Sequence, residues 1–173
     1  MHNTLHLHKL YPIKAGAEVY ILCKDKVLMF RRGDNAPAFP GLWVGPGGHV
    51  DHDEDFLKAA IREVFEETGI KIETNKIKLK ALAIHRRSYS NSTWVLPIFR
   101  ADLDEPCEIK NSDEGEAKWI EISKLVDMEK IFKPAKFYFD HVLNNKPGIL
   151  YTNIEWTEDG EFVNVSKSLD KDF

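Results

Sequence analysis

The stretch Gly47–Ile70, GGHVDHDEDFLKAAIREVFEETGI, packs Glu63, Glu66 and Glu67 into five residues beside Arg62. Its middle has the period of a helix. Leu57, Ala60, Ile61, Val64 and Phe65 recur at the spacing that gathers apolar side chains on one face. Asp51 and Glu54 have the spacing of a capping box, with an acid in place of the usual Ser or Thr. Gly69 stands where a left-handed residue would end the helix. At about 100° per residue, Glu63, Glu66 and Glu67 share one face, roughly opposite the apolar stripe. Like charges at this spacing cost ~0.2–0.5 kcal/mol per exposed pair, and this end of a helix favours cations. Lysines could have stood here without disturbing the stripe.

Two readings are open. One is a solvated acidic face. The other is a divalent-cation site, because carboxylate oxygens on a rigid helix suit Mg²⁺ or Mn²⁺. Gly45, Gly47 and Gly48 favour the second: they let the backbone approach a ligand, and a glycine carbonyl could join the cation's shell.

The whole chain bounds these readings. Its 173 residues, 43% hydrophobic, suffice for a single domain over 1–173 with a buried core. The formal net charge of −4, with no basic block, argues against a long nucleic-acid partner. Cys23 and Cys107 lie far apart and outside any CxxC, and read as reduced thiols of a cytoplasmic protein. No apolar run approaches the roughly 20 residues that span a membrane. The N-terminal MHNTLHLHKL lacks the apolar core of a signal peptide, and its His2, His6 and His8 read as a frayed or edge segment rather than a metal site.

The flanks read as strands. AGAEVYILCKDKVLMFRR is a hairpin turning at Lys24–Lys26. A loop rich in Pro and Gly follows, with a short extended piece around Leu42–Val44. KIKLKALAIHRR, STWVLPIFRADL and AKWIEI are strands; PAKFYFDHVL is a helix with Pro134 in its first turn. YTNIEWTEDGEFVNV is a terminal hairpin turning at Asp159–Gly160, so helix and hairpin occupy about 134–166 of the same domain. Without regular βαβ alternation, the expectation is a mixed sheet with helices on its faces.

The central stretch resembles the Nudix box, G-x5-E-x7-R-E-U-x-E-E-x-G-U with U aliphatic. Gly48, Glu54, Arg62, Glu63, Val64, Glu66, Glu67, Gly69 and Ile70 fill its nine fixed positions with the correct gaps. The resemblance implies an α/β/α sandwich around a mixed sheet. It also implies Mg²⁺-dependent hydrolysis of a nucleoside diphosphate linked to another group. It assigns Glu63, Glu66 and Glu67 as cation ligands, assisted by the carbonyl of Gly47 or Gly48. Arg62 would orient a glutamate, Glu54 would support the loop, and Glu63, Glu114 or Glu116 would take the proton from the attacking water.

The substrate is less defined. Glu114, Gly115 and Trp119 in SDEGEAKWIEISKL resemble an EG-x-x-x-W segment of MutT-type enzymes that hydrolyse oxidised purine nucleoside triphosphates. Trp43 and Phe39 are candidates to stack on a base; Arg31, Arg32, Arg86 and Arg87 are candidates for phosphate contact. His49 and His85 are set between the cleft and ordinary surface or core roles, and Trp94 and Trp156 read as packing residues. The expected ligand is a small nucleotide, most simply a nucleoside triphosphate. ADP-ribose, a dinucleoside polyphosphate, a nucleotide sugar or a non-catalytic sensing role are the alternatives. The chain is expected to be a monomer or homodimer.

Overall fold

The computed structural model describes residues 12–171. His2, His6 and His8 lie outside the described residues. The first two aliphatic runs fold back on each other as β1 (Ile13–Cys23) and β2 (Lys26–Arg32), with Lys24 left-handed at the turn (φ 55°). The loop that follows holds β3 (Trp43–Val44) and β4 (Gly47–His49). Then come α1 (Phe56–Thr68), β5 (Ile77–Arg87), β6 (Ser92–Asp102) and β7 (Gly115–Glu121). α2 (Phe139–Leu143), β8 (Ile149–Trp156) and β9 (Phe162–Asp170) complete the order.

Among the described residues the nine strands form one sheet. Its order is β3-β2-β1-β6-β5-β8-β9, with β4 beside β1 and β7 beside β2. β1–β6 and β5–β8 are parallel and the other pairs antiparallel, so the sheet is mixed, as expected. Strand alternation divides the core between its faces. Ala17, Val19 and Ile21 of β1 and Leu28 and Phe30 of β2 cluster with Ala60 and Val64 of α1. Tyr20, Leu22, Val27 and Met29 cluster on the other face with Tyr138, Phe139, Val142 and Leu143. The result is an α/β/α sandwich. Cys23 is buried, Cys107 exposed, and both are free.

Three local expectations change. Asp55, not Asp51, caps α1: its carboxylate accepts the N–H of Leu57 and Lys58 at 3.0 and 2.9 Å. The Glu54 side chain is engaged by Arg62 instead, although it still accepts the Asp51 N–H at 3.2 Å. Phe65 is 47% exposed, whereas Ala59 and Glu67 are buried, so the inward face of α1 is rotated toward the glutamates. The segment from Pro134 is not one helix. A 3₁₀ turn, Lys133–Phe137, breaks at Tyr138 before α2. The Tyr138 backbone departs from helical values (φ −121°, ψ −7°), and its buried hydroxyl donates to Glu18 at 2.9 Å. At the end of α1, Gly69 takes the left-handed conformation (φ 73°), and its N–H donates to Phe65 O.

Candidate active site

Arg62 organises the acidic face of α1. Its Nε and Nη2 grip both oxygens of Glu54 at 2.7 and 2.9 Å. Its Nη1 donates to Glu63 and to Glu66, each at 2.9 Å, and Nη2 also reaches His49 O at 3.0 Å. One guanidinium therefore holds three of the clustered glutamates and the end of β4. These bonds hold the Glu54 carboxyl below its usual range and raise the Arg62 guanidinium.

Glu67 and Glu63 lie against the glycine loop. Glu67 is 3% exposed and accepts the Gly47 N–H at 2.9 Å. Burial, reinforced by the charges of Glu63 and Glu114, pushes its carboxyl up to about 9, against the Gly47 bond and Arg32. Burial also raises Glu63, again against Arg62. Glycine is required for these approaches. A Cβ at Gly48 would meet all three carboxylate atoms of Glu63 at 2.3–2.6 Å, and one at Gly47 would lie 2.1 Å from Ala17 O.

Three carboxylates, Glu54, Glu63 and Glu66, thus surround one guanidinium, Glu67 faces the glycine loop, and burial raises Glu63 and Glu67. An oxygen-only donor set with excess negative charge fits a hard divalent cation. Among the described residues, no three His, Cys, Asp or Glu side chains are placed together so as to hold a metal ion by themselves. That is compatible with Mg²⁺, which keeps waters and shares its shell with phosphates instead of entering an all-protein cage.

Beside this face opens a cleft of about 180 Å³. Arg32, Phe39, Gly47, Gly48, His49, His85, Arg87, Trp94 and Phe132 are in its wall. The volume is below the ~300–1,000 Å³ of a site that encloses a whole drug-sized ligand. His85 is buried and neutral: burial lowers its pKa to about 4, helped by Arg87. Its ring forms a cluster with those of Phe132 and Trp156, with centroids at 6.0 and 5.8 Å and the other two rings 5.9 Å apart. The Arg87 guanidinium lies 5.4 Å from the Phe39 ring and 5.9 Å from the Trp156 ring.

The remaining sequence candidates fall in different places. Arg32 is in the cleft wall, with Nε on Ala38 O at 2.8 Å. Arg31 pairs with Asp34 at 2.6 Å, and Arg86 is exposed. Trp43 is outside the cleft wall. It packs half-buried against the Tyr138 side of the core, held by β3 pairing and by Trp43 N–H to Lys130 O at 2.7 Å. Phe39, the other stacking candidate, is in the cleft wall. Glu114 is exposed but acts electrostatically on both Glu63 and Glu67, whereas Glu116 is exposed on β7 opposite Arg31. The Trp119 ring packs on the α1 side and donates to Cys107 O at 3.4 Å.

One residue had no sequence signal. Glu18, buried in β1, accepts Tyr20 OH at 2.7 Å, Tyr138 OH at 2.9 Å and the Gly45 N–H at 2.8 Å. Burial raises its carboxyl against these three bonds. It ties the glycine loop to the sheet.

The family description NUDIX domain matches residues 13–141. The chain is similar to the m7GpppN-mRNA hydrolase NUDT17 of Danio rerio, at 41% identity over 65 residues, 38% of this chain and 22% of that protein. It spans less than a third of the length of the NUDT17 relatives it matches. It is 29% identical to the RNA pyrophosphohydrolase of Pelagibacter ubique over 137 residues, 70% of this chain and 85% of that one. The crystal structure of the MutT protein from Bacillus halodurans, 26% identical, superposes with a TM-score of 0.75 over 90% of this chain and 97% of the other. With the family match running from β1 into α2 over most of its length, the chain belongs to the Nudix family.

Proposed function

We propose that the chain is a divalent-cation-dependent pyrophosphohydrolase that cleaves a nucleoside triphosphate to the monophosphate and pyrophosphate. The observation that carries this reading is the pair Glu63 and Glu67: two carboxylates drawn out of water against Gly47 and Gly48, at the edge of an aromatic cleft. Glu63, Glu66 and Glu67, with the carbonyl of Gly47 or Gly48, would hold Mg²⁺ or Mn²⁺. The bound cation would neutralise phosphate charge and acidify a water.

The chain's own groups do the rest. Arg62 fixes the orientation of Glu63 and Glu66, and Glu54 fixes Arg62. Glu63 or Glu114 takes the proton of the attacking water. Arg32 supplies a cation in the cleft wall for a phosphate oxygen. Phe39 stacks on the base. Two free cysteines fit a cytoplasmic setting. Among the described residues no helix is long and apolar enough to cross a membrane.

A second reading, a nucleotide at the 5′ end of RNA, is favoured by the similarity to proteins named as RNA and capped-mRNA hydrolases. The net charge of −4 favours the free nucleotide. The test is release of phosphate and pyrophosphate in Mg²⁺ or Mn²⁺ against an EDTA control. The panel holds the nucleoside triphosphates, oxidised dGTP, ADP-ribose, a dinucleoside polyphosphate, a nucleotide sugar and a 5′-triphosphate RNA oligonucleotide. Cation-dependent pyrophosphate release from triphosphates is the expected result. Preference for another member discards the triphosphate reading, and hydrolysis of nothing discards the enzyme.

A further inference from the structure

Among the described residues, three side chains of the cleft wall each carry a buried N–H without a hydrogen-bond partner: Nε2 of His85, Nε of Arg87 and Nε1 of Trp94. Sheet register brings them together. His85 and Trp94 are direct cross-strand partners on β5 and β6, and Arg87 follows His85 by two residues on the same face. The other two unpartnered buried atoms, Thr152 Oγ1 and Asn153 Oδ1, are on β8 and outside the cleft wall. The unpartnered groups of the wall are therefore all donors.

His85 is the most constrained of the three. Its residue is 5% exposed. Trp156 Nε1 can only donate, and it donates to His85 Nδ1 at 3.1 Å. The neutral imidazole must then carry its proton on Nε2. Burial keeps the ring neutral, with its pKa near 4. The ring lies beside those of Phe132 and Trp156, with centroids at 6.0 and 5.8 Å, and its burial and the Trp156 bond fix its orientation. A buried ring N–H that nothing in the fold satisfies points to an acceptor brought by a ligand.

We propose that His85, with Trp94 and Arg87, reads a ligand edge made of acceptors, and so selects keto-type bases (guanine, hypoxanthine, uracil) over amino-type bases (adenine, cytosine). This rests on the nucleotide reading above. Guanine presents O6 and N7, both acceptors, whereas adenine sets an amino donor where O6 would stand. A donor facing a fixed donor leaves both unpaired, and sites built this way reject the wrong analogue. Phosphate oxygens are acceptors too, but a phosphate at this place would be held without regard to the base.

The experiment separates these. GMP, IMP, UMP, AMP and CMP are titrated by calorimetry in EDTA, with the His85 Nε2–H followed by ¹⁵N NMR. kcat/KM is measured in parallel for the five triphosphates in Mg²⁺. The expected result is a preference for keto over amino partners of about 10-fold, with the Nε2–H signal moving on GMP and not on AMP. His85→Leu should flatten the preference to within about 3-fold, and His85→Gln, which retains an N–H, should restore most of it. Equal affinity of the wild-type protein for GMP and AMP overturns the proposal without recourse to any variant. So does a preference that survives His85→Leu. Hydrolysis with no base preference removes the His85 assignment and leaves the pyrophosphohydrolase standing. Failure of all five bases to bind, with no hydrolysis, removes both.

Discussion

Replacing Glu67 by Gln should stabilise the cation-free protein while disabling the site. Glu67 is 3% exposed, and burial moves its carboxyl from 4.5 to about 9. Between those values the folded state holds a proton that the unfolded chain has released. The Glu67 contribution to stability is therefore fully present below about pH 4.5 and is lost as the pH rises toward 9, at about 1.4 kcal/mol per pH unit. Up to about pH 8 the loss is at most ~5 kcal/mol, and relaxation with water entry from the cleft side reduces it to ~2–3 kcal/mol. Gln keeps an oxygen for the Gly47 N–H and cannot titrate. In EDTA at about pH 8 the variant should melt ~5–10 °C higher than wild type, at 2–4 °C per kcal/mol for a chain of this size. The gap should close toward about pH 5. Mg²⁺ should reverse the order, because the wild-type carboxylate trades its proton for the cation and the amide cannot. Melting curves of both proteins between about pH 5 and 8.5, with EDTA or Mg²⁺, decide the matter. Parallel pH dependence would refute the buried-carboxylate argument. Equal stabilisation of both by Mg²⁺ would refute Glu67 as a ligand.

Other perturbations test the neighbouring parts. Glu66→Gln should lower kcat by at least about 100-fold with an unchanged circular dichroism spectrum, because its side chain is 53% exposed. Gly48→Ala should lower turnover by at least about 10-fold, because the new methyl group displaces the Glu63 carboxylate, which lies 2.3–2.6 Å from the added Cβ; normal turnover would mean that the carboxylate position is not critical. Trp43→Ala should cost ~2–3 kcal/mol in a denaturant titration while leaving KM for the nucleotide within about 3-fold, since its ring packs on the core and not in the cleft.

The parts of the fold legible in the sequence are those whose signals are local. The β1–β2 hairpin, β5, β6, β7 and the β8–β9 hairpin each carry their own β-branched runs and turn residues, and Gly69 sits at its expected left-handed position. The misplaced features depended on distant partners. The capping role passes from Asp51 to Asp55 while Arg62, eight residues along, engages both Glu54 oxygens. The helix expected from Pro134 breaks at Tyr138, whose hydroxyl reaches a carboxylate 120 residues away. Helical periodicity in that segment was real, but it could not report a long-range bond.

The site divides along the same line. Glu63, Glu66, Glu67 and Arg62 are neighbours on one helix, so their spacing alone brings them together. Glu18 is different. In β1 it alternates onto the face of Tyr20 and Leu22, where an acid has no reason to be unless something pays for its burial. That compensation is two tyrosine hydroxyls and the Gly45 N–H, the last of them 27 residues along the chain. Those bonds hold the loop from which Gly47 meets Glu67 and Gly48 meets Glu63. His85 and Trp94 follow the same logic: alone, His85 reads as a cleft, surface or core residue and Trp94 as a packing residue, and only the β5–β6 register sets them opposite each other in one wall. The helix therefore specifies where charge collects, and the sheet register specifies what stands across from it. A change that shifts the register of β5 by one residue would turn His85 and Arg87 out of the cleft while leaving every box residue in place. Cation binding should survive such a change, and base discrimination should not.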